Sequence, residues 1–185
     1  MTSEEFESTQ RKAQRQLKAR HLVSLGSKLV ELFELRRPPG VYQLVTPHNV
    51  WAQTTETLKS LAYRLPHEPK DWEGAHWERK PVTQDTLPLG MHTSSTMLPL
   101  WLYAQVADKL RLPKKYRDLP LWLPHFPDLA VRFIKDRQLA FMGQLVAQPA
   151  TLEELKAQHP EHGDRLECDL MALVWSGHLQ VLPDD

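Results

Sequence analysis

Histidines, the one cysteine and clustered carboxylates are the residues of this chain most able to carry chemistry. His159 and His162 stand three apart, with Cys168 a short way on. A structural zinc site takes about four ligands, each held by a supporting shell. Pro160 and Gly163 make the histidine pair read as turn residues, and Cys168 falls inside a predicted helix, so no metal and no cofactor is expected. His67 and His76 share a stretch with Glu68, Asp71, Glu73 and Glu78, but their spacing follows no ligand pattern. Nucleophilic catalysis has no local support. There is no G-x-S-x-G elbow, and Thr93-Ser94-Ser95-Thr96 reads as a helix cap. Cys168 lies between Glu167 and Asp169, the opposite of the cationic setting that activates a thiolate. The seven glycines form neither a GxGxxG nor a GKS/T phosphate cradle. The chain is therefore expected not to be an enzyme.

Two basic clusters stand out next. Arg11, Lys12, Arg15, Lys18 and Arg20 place five cations and no acid between residues 10 and 20. No aromatic residue is interleaved there, so base stacking has no candidate. Lys109, Arg111, Lys114, Lys115 and Arg117 make the second cluster, with Tyr116 inside it and Asp108 and Asp118 at its flanks. Arg11, Lys12, Arg15, Lys18, Lys114, Lys115 and Arg117 are the candidates for nucleic-acid contact; a solvated helix face is the plainer reading of the first group. The aromatic candidates are Trp72 and Trp77, in a proline-rich stretch, and Trp122 and Phe126 further on. A tryptophan presented by a loop marks a binding hot spot, whereas one folded inward is only a core plug.

The elements that must position these residues follow from spacing. Residues 3–37 read as one long helix with a core stripe at Leu22, Leu25, Leu29, Leu32 and Phe33, and Thr2 with Glu5 as a capping box at its start. Arg36-Arg37-Pro38-Pro39-Gly40 ends it. Val41 to Val45 is a short strand. Residues 46–65 read as a second helix, aligned on Val50, Thr54, Leu58, Leu61 and Leu65. Residues 66–90 are a long loop, which in a compact domain is usually functional or disordered. Residues 96–110 make a third helix, with Pro99 in its first turn where a missing N–H does no harm. Leu119 to Pro127 is the most apolar stretch, and its three prolines forbid a helix or a central strand. Trp122, Leu123 and Phe126 are expected to clamp the chain's two halves.

The last fifty residues carry the clearest pattern. Asp136 can cap a helix striped by Leu139, Met142, Leu145 and Val146. Thr151 with Glu154 is a capping box opening a short helix with Leu152 and Leu155 inward. A third helix carries Leu166, Leu170, Leu173 and Val174; Gly177 suits a left-handed stop, and residues 178–182 alternate like a strand. Three small helices and a strand resemble the winged-helix family. The second wing strand of that family has no counterpart here, and a helical hairpin with an edge strand is the alternative. The family often places its third helix in the DNA major groove. Residues 136–185 hold nine acids against three bases, a net charge of −6. DNA affinity rests on cations meeting phosphates, so an acidic third helix points to a protein target.

Composition sets the outer bounds. The 185 residues are 41% hydrophobic and 25% charged with zero formal net charge, an ordinary globular balance. The single cysteine excludes an intrachain disulfide and fits a reducing compartment. There is no signal-peptide layout at the start and no apolar run of membrane-spanning length, so a cytoplasmic protein without membrane contact is expected. The fold expectation is a mainly α protein with a few short strands: a helical N-terminal part (1–128) and a winged-helix-like C-terminal module (129–185). The functional expectation is a non-catalytic regulator or adaptor that binds another protein, with self-association through the long first helix as one form of it. A nucleic-acid-binding regulator is the alternative.

Overall fold

The computed structural model describes residues 3–35, 37–81 and 87–183. The expected Thr2–Glu5 capping box, the Arg36 position in the helix stop and residues 82–86 of the expected loop lie outside them. The chain separates into two compact units, Met1–Leu102 and Tyr103–Asp185. This division falls earlier than the 128/129 boundary read from the sequence.

The first unit opens with α1 (Ser3–Glu34), whose run of Gln, Lys, Arg, Glu and Leu has high helix propensity. Its second half buries Leu22, Leu25, Leu29, Val30 and Leu32. The four leucines recur every three or four residues and so share one face. Five antiparallel strands follow: β1 (Val41–Thr46), β2 (Asn49–Thr54), β3 (Ser60–Tyr63), β4 (His76–Lys80) and β5 (His92–Ser95), in the order β4-β1-β2-β3-β5. Two bonds tie α1 to this sheet region: the Trp77 indole donates to Lys28 O at 2.7 Å, and Lys28 Nζ donates to Ala75 O at 3.1 Å. The pairing of β1 with β2 slips between Leu44 and Val45, a bulge that sharpens the local twist.

The expected helix over 46–65 is therefore a correction: this stretch is β2, a turn and β3. Val50, Thr54, Leu58 and Leu61 keep helical spacing, but Asn49–Thr54 is rich in residues that pack well on a pleated surface. The Thr54-Thr55-Glu56-Thr57 run that follows is stiff at χ1 and weak in helices. The turn is pinned by Thr55, which donates its N–H to Ser60 O at 2.9 Å and accepts the Ser60 N–H on its hydroxyl. The expected loop over 66–90 is also more ordered than read, since it contains β4 and a 3-10 turn at Pro69–Trp72.

The next helix, α2 (Met97–Val106), buries Leu100 and Trp101 completely and crosses the boundary between the units. The second unit continues with α3 (Lys114–Asp118), β6 (Leu121–Trp122), α4 (Asp136–Ala147), α5 (Leu152–Gln158), α6 (Arg165–Trp175) and β7 (Gln180–Val181). The apolar stretch after α3 belongs to this unit. Leu121 pairs with Val181 of β7 and also exchanges both backbone bonds with Ala150, between α4 and α5. Leu121, Leu123, Phe141, Leu145, Leu155, Leu166, Leu170 and Leu173 form its core. The Thr151–Glu154 capping box is present in both directions, at 2.8 and 3.2 Å. Gly177 holds the left-handed stop with φ 76°. At α4 the cap differs from the one read at Asp136: Gln138 Oε1 accepts the Lys135 N–H at 2.8 Å. Helices hold most of the regular structure, as read from the sequence, but the strands of the first unit gather into a separate antiparallel sheet, so the class is α+β.

Among the described residues Leu58, in the β2–β3 turn, is the one non-glycine with positive φ, at 62°. A side chain there meets the following carbonyl, at a cost of roughly 1–2 kcal/mol. Leu58→Asn should accordingly raise stability by about 1 kcal/mol, measured by urea unfolding; an unchanged or lower midpoint would show that the leucine side chain contributes more than the strain removes.

Candidate functional site

The first helix is two helices in character. Every residue from 4 to 20 is exposed, whereas residues 21–34 carry the buried stripe. The exposed half holds the first basic cluster. Arg11 pairs with Glu7 at 3.6 Å, and Lys12, Arg15 and Lys18 make no ion pair among the described residues. Phe6, Ala13 and Leu17 recur at seven and four residues, so they share a face. Phe6 is 50% and Leu17 54% exposed. A helix half with no buried residue is marginal in water by itself. Here it grows out of an anchored half, which supplies the nucleus.

The sequence-predicted aromatic residues part company. Trp72 and Trp77 are 7% and 5% exposed, so of the two readings left open for them both rings fold inward. The physical reason is burial: each large ring gains about 1.5–3 kcal/mol from leaving water, and Trp77 also satisfies its N–H on Lys28 O. The Trp72 indole N–H is buried without a partner. Trp122 is half-buried and Phe126 is 44% exposed, both within the second unit. Phe126 lies against α4, close enough that a Cβ on Gly143 would meet its ring at 3.8 Å.

The second basic cluster is largely used locally. Lys114 pairs with Asp118, Lys115 lies 4.8 Å from the Tyr116 ring centroid, and Arg117 has its Nε buried. Tyr116 is thus half-buried and covered by a cation on its own helix. Two carboxylates of the expected loop, Asp71 and Glu78, are occupied as well. Asp71 accepts the N–H groups of His67 and Glu68, and Glu78 accepts from His76 and Lys80. Those last two hydrogen bonds hold the Glu78 carboxyl below its ordinary value.

The acidic face expected on α6 is not a face. Asp164, just before it, is exposed, but within α6 every residue is buried or half-buried. Arg165 donates to the carbonyls of Ala104, Ala107 and Asp108, filling acceptors that the end of α2 leaves open. Glu167 accepts the Leu112 N–H at 3.0 Å and Lys156 Nζ at 2.9 Å. Burial alone would raise the Glu167 pKa, but the bonds from Lys156 and Leu112 outweigh it and hold the carboxyl below 4.5. Asp169 is 1% exposed and accepts Gln105 Nε2 at 2.9 Å and Gln138 Nε2 at 3.1 Å. For Asp169 burial prevails over those two donors and pushes the carboxyl up. Sequence reasoning missed these inward roles; the i, i+2 run Arg165, Glu167, Asp169 beside four leucine and methionine positions was the available signal.

Neither a family model, a curated protein nor a solved structure matches the chain. Among the described residues no helix is long and apolar enough to cross a membrane.

The two acids of α6 make opposite contributions to stability as pH changes. Glu167, lowered in the folded state, stabilises fully above 4.5, and that contribution is lost as pH falls through the lower folded value. Asp169, raised in the folded state, favours folding most below 3.8 and progressively less as pH rises through its folded value. Comparing urea midpoints of Glu167→Gln with the unaltered chain from pH 6 to pH 3 isolates the first term. The gap should be widest at pH 6 and shrink toward pH 3; a gap independent of pH would contradict the assignment. Asp169→Ala, which leaves the Gln105 and Gln138 amides without an acceptor, should cost about 1–3 kcal/mol in the same assay.

Proposed function

We propose that the protein is a non-catalytic adaptor or regulator that binds another protein through the exposed half of α1. The observation that carries this is the division of one helix into an anchored half and a half with no buried residue. A helix that is polar nearly all round has little reason to persist unless it bridges or meets something. The line of Phe6, Ala13 and Leu17 between cations suits a groove on an acidic partner, the common mode of helix recognition. Half-buried Trp122 and exposed Phe126 offer a further apolar contact on the second unit. Self-association is the same surface meeting a second copy.

The second unit serves this reading as a scaffold. Its three helices α4, α5 and α6 with β7 support a winged-helix-like module in which β6 takes the place beside β7 that a second wing strand would fill. With no exposed residue on α6, the helix that would read a duplex is committed to the interior. The single buried cysteine fits a reducing compartment such as the cytoplasm.

The cations of α1 favour one alternative, a nucleic-acid-binding regulator. One experiment separates the two. Photo-cross-linking in cells from a benzophenone side chain placed at Ala13 should join one protein partner, and the joint change Arg11→Glu, Lys12→Glu, Arg15→Glu, Lys18→Glu should abolish it without lowering helicity. Duplex binding by the unaltered chain with a log–log salt slope of about −3.6, the value for four phosphate contacts, would overturn the adaptor reading in favour of the alternative. Neither partner nor nucleic acid bound would remove both.

A further inference from the structure

The turn between α5 and α6 holds a group that the adaptor reading does not use. One donor atom from each of His159, Glu161 and His162 lies within 4.8 Å of the others. Proximity of such groups is common, so which ring nitrogens are left without a hydrogen-bond partner decides what they can do. His162 is fully buried, and its Nε2 lies 2.9 Å from the backbone carbonyl of Arg137. A carbonyl only accepts, so Nε2 carries the proton and the neutral ring has its lone pair on Nδ1. That Nδ1 is buried and has no hydrogen-bond partner. Its nearest carboxylate, Asp169 Oδ2, stands at 3.8 Å, beyond hydrogen-bond reach, and already accepts from Gln138.

His159 is arranged in the same way. Its Nε2 lies 2.7 Å from Gln144 Oε1, and the other end of that amide donates to Gln158, which fixes the oxygen toward the ring. The proton again sits on Nε2, and Nδ1 is left facing Glu161 Oε1 at 3.7 Å. Both rings are thus oriented by an oxygen acceptor on the nitrogen away from the free lone pair. This is the arrangement that supports metal-ligating histidines, where the second ring nitrogen donates to a carbonyl or carboxylate.

We propose that His159, Glu161 and His162 form a binding site for a zinc-class divalent ion in the α5–α6 turn, on rings already held to α4 by Arg137 and Gln144. Two imidazoles and one carboxylate suit zinc and its first-row neighbours. Magnesium and calcium prefer all-oxygen shells. Ligands around a tetrahedral zinc sit about 3.4 Å apart, from metal–ligand lengths near 2.0–2.1 Å. The His159–Glu161 pair at 3.7 Å is close to that spacing, and the half-exposed Glu161 has room to close the remainder. Water completes the fourth position on the Glu161 side. Cys168 takes no part: its thiol donates to the carbonyls of Asp108 and Asp164. The sequence shows the pair only as turn residues; the tautomers, fixed by Arg137 and Gln144 on α4, are what the fold adds.

The test uses the full chain, stripped with chelator and dialysed against Zn²⁺, with metal counted by mass spectrometry and thermal unfolding followed by circular dichroism. One zinc per chain and a raised melting temperature are expected, with no rise in Mg²⁺ or Ca²⁺. Glu161→Gln, at an exposed position that leaves the fold intact, and His159→Asn should both lose the ion and the thermal gain. Gln144→Ala, which frees the His159 ring, should weaken binding roughly 10- to 100-fold. His76→Asn, at the separate His76–Glu78 pair, should leave stoichiometry unchanged. Absence of bound zinc, or zinc retained by Glu161→Gln and lost in His76→Asn, would overturn the proposal. The adaptor reading is judged by cross-linking through α1, so the two fail independently.

Discussion

A carboxylate removed from water must be given partners or the helix that carries it will not pack. Asp169 on α6 is given two: Gln105 from α2 and Gln138 from α4, one on each oxygen. Gln138 also donates to Gln105 and accepts the Lys135 N–H that starts α4. Three helices therefore meet through one polar cluster, and the leucines around it can fill space in only the registers that keep those bonds. Apolar packing supplies most of the driving force here. The cluster supplies direction, because sliding α6 by one residue would bury the carboxylate unpaired.

That constraint explains why the charges of α6 carry a different meaning in the fold than in the sequence. A net charge counts acids without saying which way they point. Glu167 and Asp169 spend their charge on Leu112, Lys156 and two amides, and Arg165 spends its charge on the carbonyl end of α2. The repulsion argument against DNA thereby loses its footing, since charges it counted are engaged inside the fold. The second basic cluster is subject to the same economy at Lys114 and Lys115. The cations from Arg11 to Arg20 on α1 are all exposed.

What was legible in the sequence is what local physics decides. The long first helix, the β1 strand, the Thr151–Glu154 box and the Gly177 stop each rest on residues within one turn of one another. What was not legible depends on partners far along the chain. Residues 46–65 satisfy helical spacing, and pairing of β2 with β3, and of these with β1 and β5, holds them as strands. Trp77 looks like a loop tryptophan until Lys28, 49 residues away, accepts its indole proton. Of the candidate surface, the cations of α1 were visible at once. The separation into an exposed and an anchored half was visible as well, since the apolar stripe begins at Leu22; the anchoring bonds of Lys28 to residues 75 and 77 were not.

The free half of α1 also has a length. Seventeen exposed residues, 4 to 20, rising about 1.5 Å each, make a rod of roughly 25 Å. A rod set into its base behaves unlike a tether. Whatever grips its far end is kept at a set distance and bearing from the sheet, without the wide sampling a flexible linker of equal residue count permits. Inserting or deleting a residue in it would turn the Phe6–Leu17 face by about 100°, so its length sets phase as well as reach.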